Sequence, residues 1–232
     1  EKERPIMYPR LVIDLEKVKN NVRVMRELTD RGNCELGLVT KSFCADPEIV
    51  KAIDSVGIDF FADARIQNLE SYKEIKTPKM LLRLPQHCEI EKVVSFADIS
   101  LNSELSTIKL LDQEAAKQGK THKVVLMIDL GDLREGIFFR DEDVIMSTVE
   151  EILKLKNIKL HGVGVNLTCY GAVIPKQDNL STLVEIAGKI ESRFNIKLDM
   201  ISGGNSSSIY LIDKKGLPEG INSLRIGEAF IL

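Results

Sequence analysis

Apolar and polar positions alternate along this chain in a steady rhythm. A short apolar run ends in a polar or glycine-bearing turn, an amphipathic stretch follows, and a new apolar run begins. That is the pattern of βα units packed around a parallel sheet. In the first amphipathic stretch Leu15, Val18, Val22, Met25 and Leu28 recur at spacings of three and four, which places them on one helix face. Asp14 precedes them as an N-cap and Gly32 follows as a stop signal. The stretches 105–118, 143–155 and 179–194 repeat the arrangement. Each is predicted to lay an apolar stripe on the sheet and a Lys/Glu face in water.

The apolar runs are Leu11–Asp14, Leu36–Thr40, Phe60–Ala62, Met80–Leu84, Ile99–Leu101, Val124–Asp129, Leu160–Val165, Leu198–Ser202 and Leu224–Ile226. The first reads as an extra N-terminal strand leading into the first helix. The others supply the strand number that a (β/α)8 barrel of the TIM type requires. Val124 through Ile128 are apolar at consecutive positions, as expected of a parallel strand covered on both faces. An open doubly wound sheet shares this alternation, and the strand count favours the closed barrel. The expected fold is therefore α/β, with a barrel domain over 7–232 and residues 1–6 as an extension or tag.

Active sites of such barrels are built from loops at the carboxyl ends of the strands. Every run here ends in a charged residue or in Asn with Ser or Thr. Two tips carry candidate chemistry. Ser202-Gly203-Gly204-Asn205-Ser206-Ser207-Ser208 follows the seventh barrel strand. Its glycines let backbone N–H groups approach an anion, and a short helix opened by Asn205 would aim further amides at it. The eighth tip, Ile226-Gly227-Glu228, adjoins it, and phosphate sites of this fold are frequently built after strands seven and eight. A flexible Gly/Ser turn is the alternative. Lys41 ends the first barrel strand. Burial at the mouth of the barrel would disfavour its ammonium and leave a nucleophilic amine, as a Schiff-base lysine needs. A solvated lysine at a strand end is the plainer reading. A phosphate cup, a lysine and an arginine (Arg225) together suit pyridoxal 5′-phosphate, which offers a phosphate, an aldehyde and a pyridine nitrogen.

The same residues resemble a known family. The segments 38–42, 61–68, 129–136, 164–171, 202–208 and 224–228 are similar, in order, to the barrel domain of alanine-racemase-type (fold type III) pyridoxal phosphate enzymes, closest to the ornithine racemase branch. The resemblance implies that Lys41 forms the Schiff base and acts as one base. It implies that Arg225 hydrogen-bonds the pyridine nitrogen. It places Ser202, Gly204, Asn205, Ser206, Gly227 and Glu228 in the phosphate site, the last two through their backbone amides. Arg134 is implied to reach the ring hydroxyl, and Asn166 to stand where many relatives carry a histidine. The implied function is an amino-acid racemase interconverting L and D enantiomers by two-base proton transfer, on a basic substrate such as ornithine. Asp129, Asp132 and Glu228 are candidate partners for a side-chain ammonium. Relatives carry a β-rich domain after the barrel and form dimers. The chain ends at Leu232, so that domain is expected to be absent, and a single-domain cofactor carrier without turnover is the alternative function. A phosphate-sugar enzyme with an aldolase-type Lys41 is a third. Cys169 reads as packing, and Tyr170 stands open between supporting the substrate and supporting the phosphate. Ala45 and Met127 differ from the alanine racemase pattern, which argues against alanine as substrate.

Composition narrows the classes further. With 232 residues, 44% hydrophobic and 29% charged, the chain is no disordered protein. A net charge of −3, 5% aromatic residues and no Trp give no basis for nucleic-acid binding. No apolar run approaches the roughly 20 residues of a membrane helix. The charged start Glu1-Lys2-Glu3-Arg4 lacks a signal core. Four cysteines without a C-x-x-C pair and three scattered histidines argue for reduced thiols in a cytoplasmic protein and against a metal site.

Overall fold

All the runs expected to build the barrel form strands in the computed structural model of the chain, which describes residues 11–168 and 173–231. They are β1 (Glu35–Val39), β2 (Phe60–Asp63), β3 (Lys79–Leu81), β4 (Ile99–Asn102), β5 (His122–Asp129), β7 (Ile158–Gly164), β8 (Met200–Asn205) and β9 (Ser223–Ile226), with the two-residue β6 (Ile137–Phe138) between β5 and β7. The strand order β4-β3-β2-β1-β9-β8-β7-β5, closed by pairing of β4 with β5, makes a ring of eight parallel strands. Helices α1 (Leu15–Arg31), α2 (Pro47–Asp54), α3 (Ile66–Ser71), α4 (Ile90–Phe96), α5 (Leu105–Lys117), α6 (Glu142–Leu153), α7 (Gln177–Phe194) and α8 (Tyr210–Asp213) connect them.

One expectation shifts. A strand outside the ring exists, but it is β6, which pairs with the end of β5. Leu11–Asp14 forms no strand, and Leu11 and Val12 are 86% and 74% exposed. A run becomes a strand only against a partner, and both edges of β1 are taken by β2 and β9. The extension expected at residues 1–6 lies outside the described residues.

Local chemistry explains the helix ends. Asp14 caps α1, its Oδ1 accepting from the Glu16 and Lys17 amides at 3.0 and 3.2 Å, which satisfies donors no helical carbonyl can reach. Packing then separates the apolar residues into two layers. Val124, Leu126 and Ile128 of β5 face the helices, while Val125 and Met127 join Val39, Phe60, Ala62, Met80, Ile99, Leu101 and Met200 inside the ring. The period-two alternation of a strand with both faces covered reproduces the consecutive apolar run.

At the amino-terminal end of the barrel, His122 is 2% exposed and its Nε2 meets Ser100 Oγ at 2.8 Å. Burial lowers its pKa to about 4, against about 6.5 for an ordinary histidine. The folded state thus binds fewer protons than the unfolded chain between these values. The stability this site contributes is complete above pH 6.5 and is lost as pH falls toward 4, a change of order 3 kcal/mol. His122→Gln is expected to unfold in urea with a shallower pH dependence than the parent between pH 7 and 4.5. Parallel curves for the two proteins would show that His122 does not govern this acid sensitivity.

Candidate active site

The carboxyl-terminal mouth of the barrel holds a cavity of about 810 Å³. Lys41, Arg134, Asn166, Asn205, Ser206, Arg225, Gly227 and Glu228 all line it, so residues from five strand tips meet there. Ser202 and Gly204 do not reach the lining and act from behind it. Ser202 is fully buried and accepts a hydrogen bond from Arg225 Nη1. Gly204 sits at φ +110°, and a Cβ there would stand 2.9 Å from Ser208 Oγ. Only glycine takes this backbone without strain, and it turns the chain from β8 into the serine-rich loop.

That loop is a short 3-10 helix, Ser206–Ser208, opened by Asn205 as expected. Asn205 Oδ1 accepts from the Ser207 amide at 3.0 Å and from Ser207 Oγ at 2.5 Å, while its Nδ2 donates to Leu167 O at 3.0 Å. Asn205 therefore pins the β8 tip to the β7 tip. Ser206 Oγ accepts from the amides of Gly227 and Ala229 at 3.1 and 3.3 Å. The Ala229 amide thus joins that of Gly227 on the serine hydroxyl. The turn after Gly227 tightens into a 3-10 helix, Glu228–Phe230, and presents alternate amides to one point. Glu228 contributes its side chain to the lining.

Arg225 is 2% exposed. Its Nη2 donates to Val165 O and to Asn166 Oδ1, both at 2.7 Å, and its Nη1 to Ser202 Oγ. Burial lowers its pKa to about 10, partly offset by Glu135, so it remains a cation at neutral pH. Among the described residues three of five guanidinium N–H groups find acceptors, which leaves two for a ligand. Asn166 Nδ2 in turn donates to Glu135 Oε1. Glu135, whose side chain is 13% exposed, lies 3.9 Å from Arg134 Nε. No sequence signal marked Glu135 beyond its place beside Arg134. Its position depends on β6, which folds the loop back, and on Gly136. That glycine has φ +115°, and a Cβ on it would come within 2.6 Å of the Asp129 amide.

Lys41 opens a 3-10 turn, Lys41–Phe43, at the end of β1. The burial expected of it is not observed: Lys41 is exposed, because the chain leaves the barrel wall at Thr40 and carries the lysine onto the rim. The buried group is Thr40, whose Oγ1 donates to Asp63 Oδ2 at 2.6 Å and lies 3.3 Å from Tyr72 Oη. Burial pushes the Tyr72 phenol up. Asp63 also accepts from the Arg65 amide at 2.8 Å and Asn68 Nδ2 at 3.1 Å. This cluster, to which the sequence assigns no role, anchors the turn that carries Lys41. Of the acidic rim candidates, Asp129 binds the amides of Gly131 and Leu133, and Asp132 binds that of Val173. Both hold loops together. Met127 is buried inside the ring. Cys169 and Tyr170 lie outside the described residues.

The alanine racemase N-terminal domain family matches residues 13–231. An ornithine racemase of Acetoanaerobium sticklandii is 55% identical over 226 residues, which cover 97% of this chain and 64% of that protein. A lysine racemase of Thermotoga maritima is 35% identical over 229 residues, 98% of this chain and 63% of that protein. The chain thus spans slightly less than two thirds of the length of either. Among solved structures, an alanine racemase of Clostridium difficile 630 in complex with cycloserine superposes with a TM-score of 0.72 at 19% identity, over 93% of this chain and 58% of that one. PipY of Synechococcus elongatus PCC7942, solved without PLP, gives 0.73 at 16% identity, over 92% of this chain and 99% of that one. At these identities the structures share the fold.

Replacing Asn205 leaves the Ser207 amide without its acceptor and unpins two strand tips. Asn205→Ala is expected to cost about 1–2 kcal/mol of unfolding free energy, as lost helix caps do. Urea denaturation measures it, and an unchanged midpoint would show that the tips hold without this side chain.

Proposed function

Because the chain belongs to the alanine racemase N-terminal domain family, whose cofactor is pyridoxal 5′-phosphate, we propose that this barrel carries that cofactor on Lys41 and serves an amino-acid racemase acting on a basic substrate such as ornithine. The observation that carries the proposal is one cavity lined by three different anchors: the Lys41 amine, the Arg225 guanidinium and the Ser206 cup. The fit is chemical. A buried cation with two N–H groups unspent suits a ring-nitrogen acceptor. A hydroxyl gathering the Gly227 and Ala229 amides suits a phosphate. An amine at the rim suits an aldehyde.

When bound, the cofactor withdraws electrons from the substrate's α-carbon and acidifies its hydrogen. The chain's residues do the rest. Lys41 supplies the amine and takes or returns a proton on one face of the α-carbon. Arg225 donates a hydrogen bond yet keeps its own protons, so it orients the ring without protonating it. Ser206 with the two amides holds the anionic end. Arg134 and Asn166 line the same cavity and would help hold the cofactor. Of the three acidic candidates, Glu228 is the one that lines the cavity and is exposed there, while Asp129 and one oxygen of Asp132 accept from loop amides. The opposite-face base is not among these residues.

The 55% identity to an ornithine racemase and 35% to a lysine racemase support a basic substrate. The single-domain carrier reading draws on the PipY fold, matched over 99% of its length at 16% identity. A homodimer, a barrel domain over 7–232 and a cytoplasmic location belong to the same proposal. Among the described residues no helix is long and apolar enough to cross a membrane.

Intact-mass spectrometry after incubation with pyridoxal 5′-phosphate and borohydride is expected to find one cofactor increment, mapping to Lys41 and absent in Lys41→Ala. With ornithine in heavy water, the loaded protein is expected to exchange the α-hydrogen, and Lys41→Ala to lose about a thousandfold or more of that rate. An increment on another lysine would remove the central assignment. Binding without exchange would select the carrier.

A further inference from the structure

Glu135 has no part in the reading above, yet it ends the chain of contacts that leads to Arg225. Asn166 has a two-faced side chain: Oδ1 can only accept and Nδ2 can only donate. Arg225 offers donors alone, so Oδ1 must face it, as the 2.7 Å contact to Nη2 records. A rotation of the amide by half a turn would set two donors against each other. The acceptor that prevents this rotation is Glu135 Oε1, to which Nδ2 donates. Val165 O and Ser202 Oγ hold the guanidinium from its other contacts. The carboxylate is also the negative charge in the vicinity of Arg225, where Arg134 acts against it.

We propose that Glu135 is a positioning residue that acts through Asn166: it selects the orientation of the Asn166 amide, and the amide fixes the Arg225 guanidinium at the angle from which its unspent N–H groups serve a ligand in the cavity. The inference rests on the cofactor reading and extends it to a residue that lines the same cavity and was given no role there. It makes three side chains from the β5–β6 loop, the β7 tip and β9 one unit. Residues of such a unit are strongly non-additive on mutation.

The test is a double-mutant cycle with Glu135→Leu, Asn166→Ala and the pair, and Glu135→Gln as the conservative variant. Each chain is titrated with pyridoxal 5′-phosphate by absorbance, and its ligand-free form is unfolded in urea. Glu135→Leu is expected to weaken cofactor binding about tenfold, as a stranded donor beside a buried cation should. It is also expected to shift the absorbance maximum of the bound cofactor. Glu135→Gln, whose amide oxygen still accepts from Nδ2, is expected to regain most of the affinity. In the Asn166→Ala background, Glu135→Leu is expected to add nothing. Equal weakening in both backgrounds would overturn the proposal, because Glu135 would then act on its own. So would a Glu135→Leu chain that loses stability but binds with parent affinity and spectrum, since that describes packing alone. Should the parent chain fail to bind the cofactor, the cofactor reading falls. The urea cycle still decides the Glu135–Asn166 linkage, which coupling supports and additivity overturns.

Discussion

Pairing of β4 with β5 closes the sheet into a ring, and the placement of every polar group at the mouth follows from that closure. An open sheet would spread its strand tips along an edge. A closed ring of eight parallel strands sends all carboxyl ends to one circle a cavity wide. Residues as distant in sequence as Lys41, Glu135, Asn166, Ser206 and Arg225 then share one surface. Closure also buries both faces of each strand, so the ring is held by its apolar interior and the mouth is free to carry groups that do not pack.

The least affordable of those groups is Arg225. A guanidinium with almost no exposed surface is tolerated only where acceptors surround it. Val165 O, Ser202 Oγ and Asn166 Oδ1 supply them from β8 and the β7 tip. Glu135 completes the set one contact further out. The same cation therefore demands order in four segments that the sequence separates by up to ninety residues. The serine cup shows a milder version of this logic. Asn205 ties it to Leu167 O, and Gly204 permits the turn.

Much of this was legible in the chain. The period of the apolar runs marked the barrel strands, and the capping residues marked α1. Of the ten candidate residues taken from the polar tips and the family resemblance, eight line the cavity. Two readings failed for definable reasons. Leu11–Asp14 has the composition of a strand but no free edge to pair with. Lys41 was expected to be buried because it ends a buried strand, yet the backbone turns outward one residue earlier, at Thr40. The Ala229 amide reaches Ser206 because a 3-10 turn, invisible as composition, sets the spacing. Glu135 and the Thr40–Asp63–Tyr72 cluster were missed because their partners are remote, and a lone Glu or Thr after a strand is common.

What the sequence determined by itself is periodicity and punctuation: which segments are strands or helices, where they stop, and which polar residues follow them. These depend on interactions within a few residues, and short-range order is written in neighbouring letters. What only the tertiary structure decided is which tips become neighbours and which polar groups are buried. It also decided which acceptor each buried donor receives. Those outcomes depend on the closing strand pair and on the direction of each backbone turn, and a contact across the ring leaves no mark in the local pattern of either partner.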